Sequence, residues 1–342
     1  MTSTRMRAAR FYGPGRPLQI EDIPIPAPRG DEILVRVRAA GVCHTDVHVR
    51  SGRIPLLPSH ELPLTLGHET AGEVAAVGPG IQGIREGDAV VVWGARGCGR
   101  CRLCHSGSEY LCNQATWLNG GYAQYTLVPG ARYLAPLEGV DPVQAAPLAD
   151  AGLTPLHAIR KVLPRLRAGD HAVLFGVGGL GHMAVQILRV LSPATQIIAV
   201  DIEPSKRELA LKLGARHAVD GLENPIERIR EITGDSGAAA VLDFVGSDAS
   251  LAAALSSVAK AGILVVVGMA GGVLPLSPLT LPPEAWLTTS MWGSFPELEE
   301  VLTLAREGRI HCETSVFDLD ALNDAFDQLE SGEVLGRAVV VP

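Results

Sequence analysis

No stretch of the 342-residue chain approaches the roughly 18 uninterrupted apolar residues that a membrane helix requires. A membrane role is not expected. Low-complexity tracts, internal repeats and Gly/Ser linkers are also missing, so any domains must meet without a floppy tether. Charged residues make up only 19%, and their balance is negative, at −8, which would repel a phosphate backbone. Nucleic acid is therefore a poor partner. The start carries Arg5, Arg7 and Arg10 but no apolar secretory stretch, so a reducing cytoplasmic setting is expected. Against these absences stand 47% apolar residues and a length beyond that at which single cores usually stop growing. Two domains are expected, with many tight turns from 38 glycines and 24 prolines.

Cysteine is scarce, with six in the chain, yet four of them, Cys98, Cys101, Cys104 and Cys112, fall inside fifteen residues. Short Cys-x-x-Cys steps let one loop place four thiolates about 2.3 Å from a single zinc ion. A reducing compartment favours metal thiolates over disulfides. With all four positions filled by protein, such a site is closed to substrate and structural. Arg96, Arg100 and Arg102 lie in the same loop and would offset the negative charge of four thiolates on one divalent ion.

From about 18 to 150 the chain reads as short strands divided by Gly and Pro, with candidates at 33–39, 71–77 and 89–93. After about 170, apolar strands at 172–175, 197–200, 239–244, 263–267 and 287–291 alternate with helical patterns near 180–191, 205–213, 223–232 and 248–259. This is the rhythm of a doubly wound α/β fold with a parallel sheet covered on both faces. The final stretch reads as helix then strand, returning to the first domain.

The first of those strands runs into Gly176-Val177-Gly178-Gly179-Leu180-Gly181, with a helix pattern after it and Asp201 twenty residues beyond Gly181. Gly176 permits the tight turn, Gly178 allows close approach of a pyrophosphate, and Gly181 allows close helix packing. The helix N-terminus offers free amides to phosphate. Asp201 would accept hydrogen bonds from adenosine ribose hydroxyls and repel a 2′-phosphate, so NAD is expected over NADP.

Cys43 stands in Gly41-Val42-Cys43-His44-Thr45-Asp46-Val47-His48, and His68 in Gly67-His68-Glu69. Each alone is ambiguous, since a buried Cys is often only a small hydrophobe. With the four-cysteine loop, the glycine fingerprint, Gly87-Asp88-Ala89-Val90 and Gly336-Arg337, they make the chain resemble the zinc-dependent medium-chain alcohol dehydrogenases over nearly its whole length. The resemblance implies a mainly β GroES-like catalytic domain (1–152 and 294–342) and a Rossmann-type domain (153–293). It implies a catalytic zinc held by Cys43, His68 and, where the family commonly has Cys, Asp150, so two zinc ions per chain. Bacterial secondary-alcohol dehydrogenases carrying this Asp are the nearest pattern. Glu69 would lie under the metal. Thr45 would pass the alcohol proton through ribose hydroxyls to His48 at the surface. His44, Thr154 and Arg337 would contact NAD beside the residues Gly176, Gly178, Gly179, Leu180, Gly181 and Asp201. Trp93, Trp117 and Trp292, with Leu118, fall in segments that line the substrate cleft. The implied reaction interconverts alcohols with ketones or aldehydes in a homodimer or homotetramer, with a polyol dehydrogenase or a non-catalytic NAD-binding protein as rival readings. Cys312 lies away from every motif and is assigned to packing.

Overall fold

The computed structural model describes residues 4–55 and 61–342, which leaves His60, a histidine outside every motif, beyond the described residues. Two compact units emerge, one from the described part of Met1–Ala151 with Gly293–Pro342, the other from Gly152–Trp292. Among the described residues, no helix is long and apolar enough to cross a membrane.

The first unit is mainly β. Its largest sheet runs, in spatial order, Leu134–Pro136, Ala89–Val92, Glu69–Val77, Ile33–Val42, Arg337–Val341 and Thr314–Asp318, with Tyr125–Val128 also paired to Ile33–Val42. The chain's last strand docks antiparallel on the strand that leads into Cys43, with Ala338 opposite Val42 and Val340 opposite Ala40. That pairing brings Arg337 to the end of the sheet where Cys43 begins its helix. The β-branched residues Ile33, Val35, Val37 and Val42 are buried, and Val37 and Val42 join a core that includes Phe11, Tyr122 and Phe326.

The second unit is a six-stranded sheet, parallel throughout, in the order His217–Asp220, Gln196–Asp201, His171–Phe175, Ala238–Asp243, Val258–Val266, Trp286–Thr289. Numbered within the unit, this is the 3-2-1-4-5-6 order of a dinucleotide-binding sheet. The first strand is buried on both faces, Ala172, Val173 and Leu174 each at 0% exposure, as helix-covered parallel sheets require. Helices Gly181–Leu191, Pro204–Leu213, Pro225–Thr233 and Asp248–Ser257 form the crossovers.

Two expectations need amendment. The helix expected to reach 259 stops at Ser257, because Val258 enters the sheet opposite Ala238. The strand His217–Asp220 lacked a sequence signal. It is a four-residue edge strand whose only buried member is Val219, so no apolar run marks it.

Candidate metal centres and dinucleotide loop

In the cysteine loop, Cys98 Sγ lies 3.9 Å from Cys104 Sγ, Cys101 Sγ 3.5 Å from Cys104 Sγ, and Cys101 Sγ 3.8 Å from Cys112 Sγ. A tetrahedron with metal–sulfur bonds of about 2.3 Å has edges of about 3.8 Å, so the four sulfurs fit one zinc ion. All six cysteines are unbridged. Backbone N–H groups of Cys98 and Gln114 donate to Cys112 Sγ at 3.4 and 3.3 Å, and that of Cys104 to Cys101 Sγ at 3.5 Å. The Cys104 N–H holds the Cys101 thiol below its ordinary pKa. The backbone N–H of Arg100, with help from neighbouring groups, lowers the Cys98 thiol to about 6, whereas burial raises Cys104 to about 11.

A second cluster collects Cys43, His68, Glu69 and Asp150, whose ligand atoms all lie within 4.8 Å of one another. Cys43 caps the N-terminus of the helix His44–Ser51, and its Sγ accepts the Thr45 N–H at 3.4 Å. Asp150 Oδ2 stands 3.4 Å from Cys43 Sγ and 3.9 Å from His68 Nε2. These separations suit a sulfur, a nitrogen and an oxygen around one zinc at about 2.0 to 2.3 Å. Asp150 ends the short 3-10 helix Ala146–Ala149 and is not the N-cap of the next helix, because Gly152 holds that position before Leu153–Val162.

The surroundings orient these groups. Tyr122 O–H donates to Asp46 Oδ2 at 2.7 Å, and Asp46 Oδ1 lies 3.4 Å from His68 Nδ1, which leaves His68 Nε2 toward Asp150. A carboxylate behind a ligand histidine fixes ring orientation and raises basicity. Burial alone would lower the His68 pKa. The charge of Asp46 and hydrogen bonds with Asp150, Asp46 and Cys43 outweigh it, and the net shift is well upward. A metal would displace that proton.

Where the resemblance implies a cofactor contact for Arg337, the structure seats its guanidinium on carboxylates. Arg337 is 2% exposed, pairs with Glu69 through Nε and Nη2, and places Nη2 2.9 Å from Asp150 Oδ2. Glu69 is fully buried, in space that a Cβ on Gly41 would occupy. Burial raises its pKa to about 8, opposed by Arg337 and reinforced by Asp150. Asp46, Tyr122 and the carboxylate pairing of Arg337 went unread in the sequence. An acid three residues after Cys43 on a helix start was the available signal for Asp46 alone.

Thr45 Oγ1 lies 3.4 Å from Cys43 Sγ. His48, one turn further along the helix, is not at the surface as expected: it is 8% exposed, because the helix packs this face inward. Its Nδ1 has no hydrogen-bond partner among the described residues. Burial, then the charge of Arg53, lowers its pKa below 6.5, opposed by Glu330. His44 is exposed, its ring 6.1 Å from that of His48. Trp117 sets its ring 5.9 Å from His68. Trp93 is enclosed between Tyr133 and Phe295, and its indole N–H donates to Gly293 O at 3.2 Å. Trp292 is 5% exposed. Cys312 is 2% exposed, and burial pushes its thiol pKa up.

In the second unit, Gly176 turns at φ 85°, Gly178 has open space where a Cβ would stand, and a Cβ on Gly181 would collide with the Gly176 carbonyl. Leu180 leads into Gly181–Leu191 without any side-chain cap, although the His182 N–H is already taken by Gly178 O at 3.1 Å. Gly179 lies between them, partly exposed. Asp201 ends the neighbouring strand and accepts the N–H of Val177, inside the loop, at 2.7 Å. Thr154 is buried in the first turn of Leu153–Val162.

A 3-2-1-4-5-6 parallel sheet with an open glycine loop, carried by a chain with two cysteine-bearing ligand clusters, defines the class of zinc-binding dehydrogenases. Residues 29–139 match the family described as "Alcohol dehydrogenase GroES-like domain", and residues 179–307 the one described as "Zinc-binding dehydrogenase". The chain is 39% identical to an NAD-dependent alcohol dehydrogenase of Sulfurisphaera tokodaii, over 98% of this chain and 100% of that one. It is 36% identical to a D-arabinose 1-dehydrogenase (NADP(+)) of Saccharolobus solfataricus, over 99% and 98%. The crystal structure of the alcohol dehydrogenase from Aeropyrum pernix superposes with a TM-score of 0.92 at 37% identity, covering 98% of this chain and 100% of that one. The chain belongs to the zinc-dependent medium-chain alcohol dehydrogenase family.

Proposed function

We propose that the protein is an NAD-dependent alcohol dehydrogenase that reversibly oxidises alcohols, with secondary or medium-sized apolar alcohols as substrates. The observation that carries this reading is the convergence of Cys43 Sγ, His68 Nε2 and Asp150 Oδ2 on one point beside Trp117. A zinc bound there supplies Lewis acidity toward the alcohol oxygen, and NAD supplies the hydride acceptor.

The residues divide the remaining work. Cys43, His68 and Asp150 hold the metal, with Asp46 and Tyr122 fixing the imidazole. Arg337 pairs with Glu69 and Asp150 and so offsets negative charge gathered beside the metal site. Thr45 stands at the inner end of a path along which the hydroxyl proton leaves, and His48, neutral at pH 7, receives it. The open loop from Gly176 to Gly181 takes the pyrophosphate, and Asp201 the ribose. His44 and Thr154 are assigned further cofactor contacts. Trp117, Trp93 and Trp292 are assigned to the apolar lining of the substrate site. The cysteine loop holds the structural zinc.

A homodimer or homotetramer in the cytoplasm completes the proposal. Its support is the strand Trp286–Thr289, which ends the sheet with Trp286 59% exposed. A polyol or sugar dehydrogenase is the second reading, favoured by the likeness to the D-arabinose enzyme. NADH formation across primary, secondary and polyhydric alcohols separates the two. Highest kcat/KM on an apolar secondary alcohol supports the first, and highest kcat/KM on a sugar or polyol the second.

A further inference from the structure

Beside the carboxylate assigned to the ribose, the second unit holds an arginine whose two Nη groups are both engaged. Arg207 lies in the first half of the helix Pro204–Leu213 and folds back over the end of the preceding strand. Its Nη1 donates to the carbonyl oxygens of Asp201 and Ile202, both at 2.9 Å, and its Nη2 pairs with Asp220 Oδ2 at 2.8 Å. Asp220 sits directly beside Asp201 in the parallel register, so both acids end adjacent strands at the edge where a dinucleotide binds. The other Asp220 oxygen accepts the Leu222 N–H at 2.9 Å, which fixes the carboxylate.

A guanidinium near the adenosine ribose is the group that accommodates a 2′-phosphate in NADP-binding sheets. Here one is present, within reach of Asp201, but its charge is matched by Asp220 and its fork is held on backbone carbonyls. We propose that Asp220 is a specificity-determining positioning residue: by holding Arg207 it withholds that cation from a 2′-phosphate, and so secures the preference for NAD. Asp201 alone is then only half of the discrimination. The idea rests on the assignment of NAD to this loop.

Equilibrium titration of the zinc-loaded protein with NAD and with NADP, read as a ratio of dissociation constants, tests it alongside kcat/KM for each. The Asp220→Asn variant removes the charge paired with Arg207, leaving it on two backbone carbonyls, and should shift the ratio toward NADP by about 10-fold, less at high salt, because the gain is a partly exposed charge interaction. The double variant Arg207→Gln/Asp220→Asn should return the ratio to near the wild-type value. Arg207→Gln alone leaves Asp220 uncompensated and should move the ratio further toward NAD. An unchanged ratio in Asp220→Asn, or a gain that persists in the double variant, overturns the proposal. If Asp220→Asn does not fold, the Arg207→Gln variant decides: no movement toward NAD overturns the proposal equally. Wild-type protein that binds NADP more tightly than NAD would instead overturn the cofactor assignment.

Discussion

Asp150 is the residue on which the catalytic site turns, because a carboxylate stands where thiolate is common in the family. Asp150→Ala should empty one ligand position and leave close to one zinc per chain, while Asp150→Cys should keep partial occupancy, as metal analysis of the purified variants will show. If Asp150→Ala retains both zincs, Glu69 becomes the leading third ligand. His48→Gln should slow alcohol oxidation near neutral pH by roughly 10-fold or more, with partial rescue by small bases. A pH–rate profile matching wild type would remove His48 from the proton path. His48 also bears on stability. Its folded pKa lies below 6.5, so the unfolded chain takes up the proton first as pH falls. The stability it confers as a buried neutral group is therefore full above 6.5 and is lost as pH falls below that value. Thermal melts from about pH 7 to about 5.5 should fall more steeply for wild type than for His48→Gln. At this scale the family resemblance implied Cys43, His68 and Asp150, yet it named none of the residues that hold them. Tyr122 reaches Asp46 across 76 positions and Arg337 reaches Glu69 across 268, and no local pattern encodes such pairs.

Elements divide into those that build a site unaided and those that need distant chain. The cysteine loop is of the first kind, and the short spacing of its cysteines makes it legible from residue order alone. Cys104→Ser should lower the melting temperature far more than it slows the chemical step, since a closed zinc site contributes to folding. An unchanged melting temperature would count against a structural metal. The glycine loop is equally local. Gly181→Ala puts a methyl group into the Gly176 carbonyl, and should weaken NAD binding at least roughly 10-fold while leaving zinc content intact. Parallel strands were readable where apolar residues run unbroken, as in Ala172 to Phe175. The strand His217–Asp220 was not, because an edge position demands pairing from the backbone and little burial from the side chains. That unread strand also carries Asp220, whose grip on Arg207 no spacing rule would suggest.

At the scale of the whole molecule, one chain carries a mainly β unit with both cysteine-bearing ligand clusters and a parallel-sheet unit with the glycine loop. The amino-acid pattern conveyed this division through a change of texture near residue 170 and returned the final helix and strand to the first domain, but the register of Arg337–Val341 on Ile33–Val42 rests on contacts nearly three hundred residues apart. Two metals in one unit and a dinucleotide in the other must serve a single activity. The most direct measurement is zinc per chain, followed alongside NADH formation from an alcohol while a chelator slowly withdraws metal. Two zincs at the outset, with turnover vanishing as the content falls toward one and the fold persisting on the zinc that remains, is the expected result. Turnover that survives unchanged after the Cys43, His68 and Asp150 site has been emptied would contradict it.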